Sequence, residues 1–199
     1  MVRPTKQVAG ESKRDALVLA AYAKLAERGF EGLRTREVAG AVGVNVATLH
    51  YYFPTKEELI RGVVRHALER FRSTLPSAGS SADQLRGHFR GLRRLAREEP
   101  ALFAVMGELA LRAGRDRAIA AILGETDAYW HATLRALLRR ARDERAVDKA
   151  LDPDDTAALI VAALKGVYLL PAASGSAARL DRTLRQLERM LGLARTGAR

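Results

Sequence analysis

The chain has 199 residues, a formal net charge of +11 and no cysteine, with an isoelectric point near 10.6. Disulfides, thiol catalysis and cysteine-based zinc sites are therefore excluded, and the length suits one good core or a small domain beside a larger one. The cationic balance favours an anionic partner, with nucleic acid the first candidate. An acidic membrane or protein surface fits the charge equally well, and the arginine richness also fits a GC-rich genome.

Residues 1–10 carry Arg3 and Lys6, lack apolar periodicity, and read as a basic flexible arm. From about Ser12, Val18, Ala21, Tyr22, Leu25 and Ala26 recur at helical spacing. Gly29 ends this helix, with Lys24 and Arg28 in its closing turns. A short helix follows from about Thr35 to Val42, with Val38, Ala41 and Val42 on its inner side. Gly43 breaks it, and a second short helix runs from about Asn45 to Tyr52 until Pro54 stops it. Thr55-Lys56-Glu57-Glu58 has the pattern of a capping box, opening a helix whose apolar face is Leu59, Ile60, Val63, Val64, Ala67, Leu68 and Phe71.

The Pro76–Ser81 loop separates that helix from a fifth, marked by Leu85, Phe89, Leu92 and Ala96. Arg86, Arg90, Arg93 and Arg97 form a basic stripe beside it, which reads as a solvated face. Pro100 opens a sixth helix and Gly114 closes it. A seventh runs from about Asp116 to Arg142, about 40 Å long. Asp152-Pro153-Asp154-Asp155 is a strong helix start, and the eighth helix behind it is apolar almost all round. Leu180, Leu184, Leu187 and Leu191 stripe the ninth. No alternating apolar/polar run predicts a strand, so the expected fold is all-α with about nine helices. Ala157–Leu170, the most apolar stretch, is interrupted by Lys165 and too short to span a bilayer, and no signal peptide is legible. The expectation is a cytoplasmic protein with no membrane partner.

Two short helices joined at Val42-Gly43-Val44 have the form of a helix-turn-helix. Val38, Val42, Val44 and Leu49 are spaced to lock them together, and Asn45 is placed to cap the second. Val46, Ala47, Thr48, His50 and Tyr51 then form its outer face, small or flat enough to enter a major groove. The turn alone is weakly specific. The wider pattern, however, resembles the DNA-binding region of the TetR family. The matching residues are Ala26-Glu27-Arg28-Gly29-Phe30, Thr35 with Val38-Ala39, Ala41-Val42-Gly43-Val44, Ala47-Thr48-Leu49 with Tyr51-Tyr52-Phe53, and Thr55-Lys56-Glu57-Glu58-Leu59.

The resemblance implies a DNA-binding region over residues 11–54 and an effector-binding and dimerisation region over 55–199. It also implies a homodimer, paired through the last two helices, that binds double-stranded DNA at an inverted repeat and answers a small-molecule effector. The residues carried over are Thr35, Arg36 and Lys56 as backbone or guanine contacts, Val46, Ala47 and Thr48 as base readers, and Tyr51 at the phosphate. Arg34, Asn45 and His50 join them as candidates. Arg34 and His50 depart from the usual Thr and Tyr, and Val46 stands where polar readers are common. For the effector, Phe71, Phe89, Phe103, Met106, Tyr129, Trp130 and Leu134 are candidate apolar lining, with His88, Glu108 and His131 as polar groups. The same residues could equally be ordinary core.

No His-Glu-x-x-His pattern, phosphate loop or Gly-x-Ser-x-Gly elbow occurs, so neither catalysis, a metal nor a cofactor is expected. The expected function is a ligand-responsive transcriptional repressor. A protein of this fold that has lost specific DNA binding, or a transcriptional activator, is the alternative.

Overall fold

A computed structural model describes residues 6–169 and 176–193 of the chain. Nine helices run through them: α1 (Lys6–Arg28), α2 (Thr35–Ala41), α3 (Val46–Tyr52), α4 (Lys56–Arg72), α5 (Ser81–Glu98), α6 (Pro100–Ala113), α7 (Arg117–Asp143), α8 (Pro153–Leu169) and α9 (Ser176–Met190). No strand occurs among the described residues, as the absence of period-two patterning predicts.

Helix starts follow local chemistry. Thr55 accepts from the Glu58 N–H at 3.1 Å and Ser80 from the Asp83 N–H at 3.2 Å. The Asp116 carboxylate accepts from two first-turn N–H groups of α7, those of Ala118 and Ile119. Asp152 does the same for Asp154 and Asp155, at 2.8 and 2.9 Å. Each side chain satisfies a donor that the helix itself leaves unpaired. One boundary differs from expectation: α1 begins at Lys6, so residues 6–10 of the expected arm are helical. Arg3 and the rest of that arm lie outside the described residues.

Two apolar cores result. The first joins α1 to α4 with α6 and the start of α7, through residues such as Leu17, Val38, Leu49, Phe53, Leu59, Leu102 and Ile122. The second joins α5, the later part of α7, α8 and α9, through Phe89, Leu134, Leu138, Ile160, Leu164 and Leu184. Phe71 of α4 and Phe103 of α6 pack against both cores and meet edge to face with ring centroids 5.7 Å apart. The ninth-helix leucines, Leu180, Leu184, Leu187 and Leu191, are all buried inside the chain.

The basic stripe on α5 is not a uniformly solvated face. Arg93 forks onto Glu188 with two contacts of 2.8 Å and reaches Asp181 at 2.8 Å, tying α5 to α9. Arg86 donates to the Leu193 carbonyl at 3.0 Å. Only Arg90 and Arg97 stay exposed. Planar, bidentate geometry suits Arg and not Lys. Replacing Arg93 by Ala leaves two partly covered carboxylates facing each other. Chemical denaturation of Arg93→Ala should show a loss of about 2–3 kcal/mol, and Arg93→Lys should recover less than half of it.

His88 is buried in the second half of the molecule, 1 % exposed, and burial pushes its pKa down to about 4. Its ordinary value is 6.5. Between these values the unfolded chain takes up a proton that the folded chain refuses. Stability therefore falls as pH drops through 6.5 towards 4, by up to about 3 kcal/mol from this group. Below that window the loss from His88 is complete. Denaturation midpoints across this range should flatten in His88→Phe relative to the parent.

Candidate DNA-binding surface and ligand cavity

The helix-turn-helix forms as its residues dictate. Val42 donates to the Ala39 carbonyl, Gly43 to that of Gly40, and Val44 again to Ala39, at 3.0–3.1 Å. Gly43 has φ +71°, in the left-handed region, while a Cβ there would meet nothing within 4 Å. The glycine is thus required by backbone conformation and not by space. Asn45 Oδ1 caps α3, accepting from the Thr48 N–H at 2.7 Å and the Thr48 hydroxyl at 2.8 Å. Val38, Ala39 and Leu49 are buried between the helices, whereas Ala41, expected inside, is exposed and Ala39 takes its place.

The outer face is open. Tyr51 is 80 % exposed and stands edge-on to Tyr52. Arg34, Arg36, Asn45, Ala47 and His50 are also exposed; Thr35 and Thr48 are half-buried. Val46 is half-buried against the first core. Its packing explains an apolar residue at the start of α3. Arg34 and Arg36 form no ion pair among the described residues, whereas nearby Arg28 reaches Glu37 at 2.8 Å.

Lys56 differs from its expected role as a free cation for phosphate. Its ammonium sits 4.1 Å above the Phe30 ring and 3.5 Å from the Phe30 carbonyl oxygen. Burial lowers its pKa from the usual lysine value. The Arg112 guanidinium covers Phe30 as well, at 4.6 Å. Phe30 is buried beneath these cations, and its N–H donates to Glu108 Oε1 at 2.8 Å. Gly29, at φ +67°, lies so close that a Cβ would fall 2.9 Å from that same oxygen. Glu108, expected as a ligand-orienting group, instead joins the end of α1 to α6.

A narrow cavity that opens to solvent lies at the seam of the two cores. Six expected residues line it: Phe71, His88, Phe103, Met106, Tyr129 and Trp130. Four expected residues do not, Glu108 among them. Phe89 and Leu134 are fully buried in the second core, and His131 turns outward to the Asp154 carbonyl at 3.2 Å. Phe89 and His131 each follow a lining residue, and one step along a helix rotates a side chain by about 100°. Among the residues missed are Leu68, Thr126, Asp127 and Tyr168. Asp127 is held by Lys165, and burial raises the Tyr168 pKa. The mouth carries Arg72, stacked 4.1 Å over the half-exposed Tyr129.

No group of three or more metal-ligating side chains occurs among the described residues. No helix among them is long and apolar enough to cross a membrane.

Residues 17–63 match the family described as "Bacterial regulatory proteins, tetR family". Residues 81–194 match "BetI-type transcriptional repressor, C-terminal". The HTH-type transcriptional repressor KstR2 of Mycobacterium tuberculosis is 33% identical over 89 residues, which is 42% of this chain and 44% of that protein. The HTH-type transcriptional dual regulator CecR of Shigella flexneri is 31% identical over 116 residues, 58% of this chain and 47% of that protein. The chain thus spans under half the length of these curated relatives. A TetR transcription regulator from Haloarcula marismortui superposes with a TM-score of 0.81 at 20% identity, covering 92% of this chain and 97% of the other. The chain belongs to the TetR family of bacterial transcriptional regulators.

Proposed function

We propose that the chain is a ligand-responsive transcriptional repressor that binds an inverted-repeat operator as a homodimer. One observation carries this reading: α3 presents an open face, headed by the exposed Tyr51 and flanked by the unpaired Arg34 and Arg36. Two such faces, related by a two-fold axis, would enter successive major grooves. Arg36 reaches a base edge or phosphate, Arg34, Thr35 and Tyr51 contact the backbone, and Ala47, Thr48 and His50 face the bases. Asn45 has its oxygen committed to the cap, leaving its amide NH₂ for DNA. Val46 is the weakest candidate, being half-packed. Lys56 serves phosphate only by leaving the Phe30 ring. The uncommitted arginines weigh against a fold relative that has lost DNA binding, and the name of KstR2 favours repression.

The dimer face is the outer side of α8. Leu159 and Leu169 are exposed there at 47 % and 39 %, in line with exposed Ala158 and Ala162. Gly166 on the same helix leaves open space for a close neighbour. The α9 leucines are spent internally, so α9 contributes its remaining surface, including exposed Met190.

Effector action follows from α4. Its first residue, Lys56, lies three residues beyond the C-cap of α3, and its later residues Leu68, Phe71 and Arg72 line the cavity. A ligand that prefers one position of α4 changes the spacing of the two heads, and only that difference in affinity can shift the balance. The test is a mobility shift on the DNA flanking the chain's own gene. Arg36→Ala and Tyr51→Ala should each weaken binding at least tenfold. Arg34→Ala should lower the salt slope by about one unit at any sequence. Unchanged binding in all three variants contradicts the proposed surface.

A further inference from the structure

The proton positions around His88 are settled by its neighbours. The Thr74 hydroxyl lies 2.6 Å from the Phe71 carbonyl oxygen, which can only accept. That hydroxyl has one proton and spends it there. His88 Nδ1, 2.7 Å from the same hydroxyl oxygen, must therefore be the donor. The ring is neutral, since burial holds its pKa well below the ordinary value. Nε2 then carries a bare lone pair. It is buried and has no hydrogen-bond partner among the described residues.

A second polar atom of the same cavity wall is also unpartnered. Trp130 Nε1 is buried without an acceptor among the described residues, and its ring stands edge-to-face with His88, centroids 6.4 Å apart. One wall thus offers a lone acceptor and a lone donor. Buried polar groups are almost always paired, and each exception calls for an explanation. Both side chains line the cavity. Of the other polar groups of the lining, Asp127 pairs with Lys165, Thr126 donates to the Ile122 carbonyl and Thr133 to the Tyr129 carbonyl, while Tyr129 and Tyr168 add two phenol groups. The rest of the wall is apolar or aromatic, with Arg72 confined to the mouth.

We infer that the cavity takes an uncharged, mainly apolar molecule through one hydroxyl group, which donates to His88 Nε2 and accepts from Trp130 Nε1. The inference rests on the proposal that this cavity is the effector site, and it narrows the effector to a class. A carboxylate is refused at this wall, because its oxygens meet the His88 lone pair. A pure hydrocarbon leaves both nitrogens unpaired.

The test uses the full chain and its own reporter, since Trp130 is the single tryptophan. Its fluorescence is titrated with decanol, decyl methyl ether and decanoate. The ether keeps the acceptor and loses the donor, so the alcohol–ether pair isolates His88. Decanol should bind tighter than the ether by on the order of tenfold, the effect of leaving a buried acceptor unpaired. His88→Phe should bind both alike. In Thr74→Val, Nδ1 loses its acceptor and the ring is free to carry its proton on Nε2, so the preference for the alcohol should disappear while the ether still binds. Equal affinities in the parent overturn the inference, as does a preference that survives in both variants. Tighter binding of decanoate, or no response to decanol at all, overturns it too. A mobility shift with decanol present separates the two readings. Selective binding that leaves DNA affinity unchanged upholds the ligand class and refutes the effector role.

Discussion

The placement of the helix-turn-helix depends on how α1 ends. A chain leaving a helix must satisfy its last polar groups and turn, and here both happen against α6. Gly29 takes the left-handed conformation, and Phe30 donates its N–H to Glu108. The Phe30 ring is then closed in by Lys56 from α4 and Arg112 from α6. Four elements meet at one backbone amide: the end of α1, the approach to α2, the start of α4 and the body helix α6. A Cβ at residue 29 would crowd the Glu108 carboxylate, and the φ of +67° there itself favours glycine. This makes the joint close and directional, the property needed for one part of the chain to set the angle of another.

From this joint the two cores diverge. The first holds the helix-turn-helix against α4 and α6; the second holds the outer helices. The cavity lies where they meet along Phe71 and Phe103, which pack against both cores, with Trp130 of the second core in its lining. Helix α4 belongs to both ends of this arrangement. Its start follows α3 within a few residues, and its last turns form a wall of the cavity. A molecule occupying the seam therefore acts on the same helix whose first residue covers Phe30. The same lining includes two buried nitrogens, of His88 and Trp130, without partners among the described residues.

Much of this was legible from residues because the signals are local. Thr55, Asp116 and Asp152 announce helix starts through oxygens that can reach only the next turn. Gly43 and Asn45 fix the turn and the cap of α3 for the same reason. The open face around Tyr51 follows once Leu49 is turned inward. What was not legible depends on contacts between distant segments. Lys56 appears free in sequence, but Phe30 lies 26 residues earlier and captures it. Glu108 finds its partner 78 residues away. Thr74 stands in the loop after α4 and sets the tautomer of a histidine on α5. The α9 leucines are a periodic stripe in sequence, and the burial that spends them inside the chain, beside Arg93 clasping Glu188 and Asp181, depends on distant segments. The error at residues 6–10 has another origin: a helix without an apolar stripe gives no periodic signal.

The joint at Phe30 is most directly tested by Glu108→Gln and Glu108→Ala, with affinity for the specific DNA site and for random duplex measured on each folded variant. The residues proposed to contact DNA are untouched, so random affinity should hold. Affinity for the specific site should fall about tenfold in Glu108→Ala, because the heads lose their fixed angle, and less in Glu108→Gln, whose amide oxygen still accepts from Phe30. Specific binding unchanged in a folded Glu108→Ala protein would contradict the idea that this one buried amide sets the placement of the DNA-reading helix.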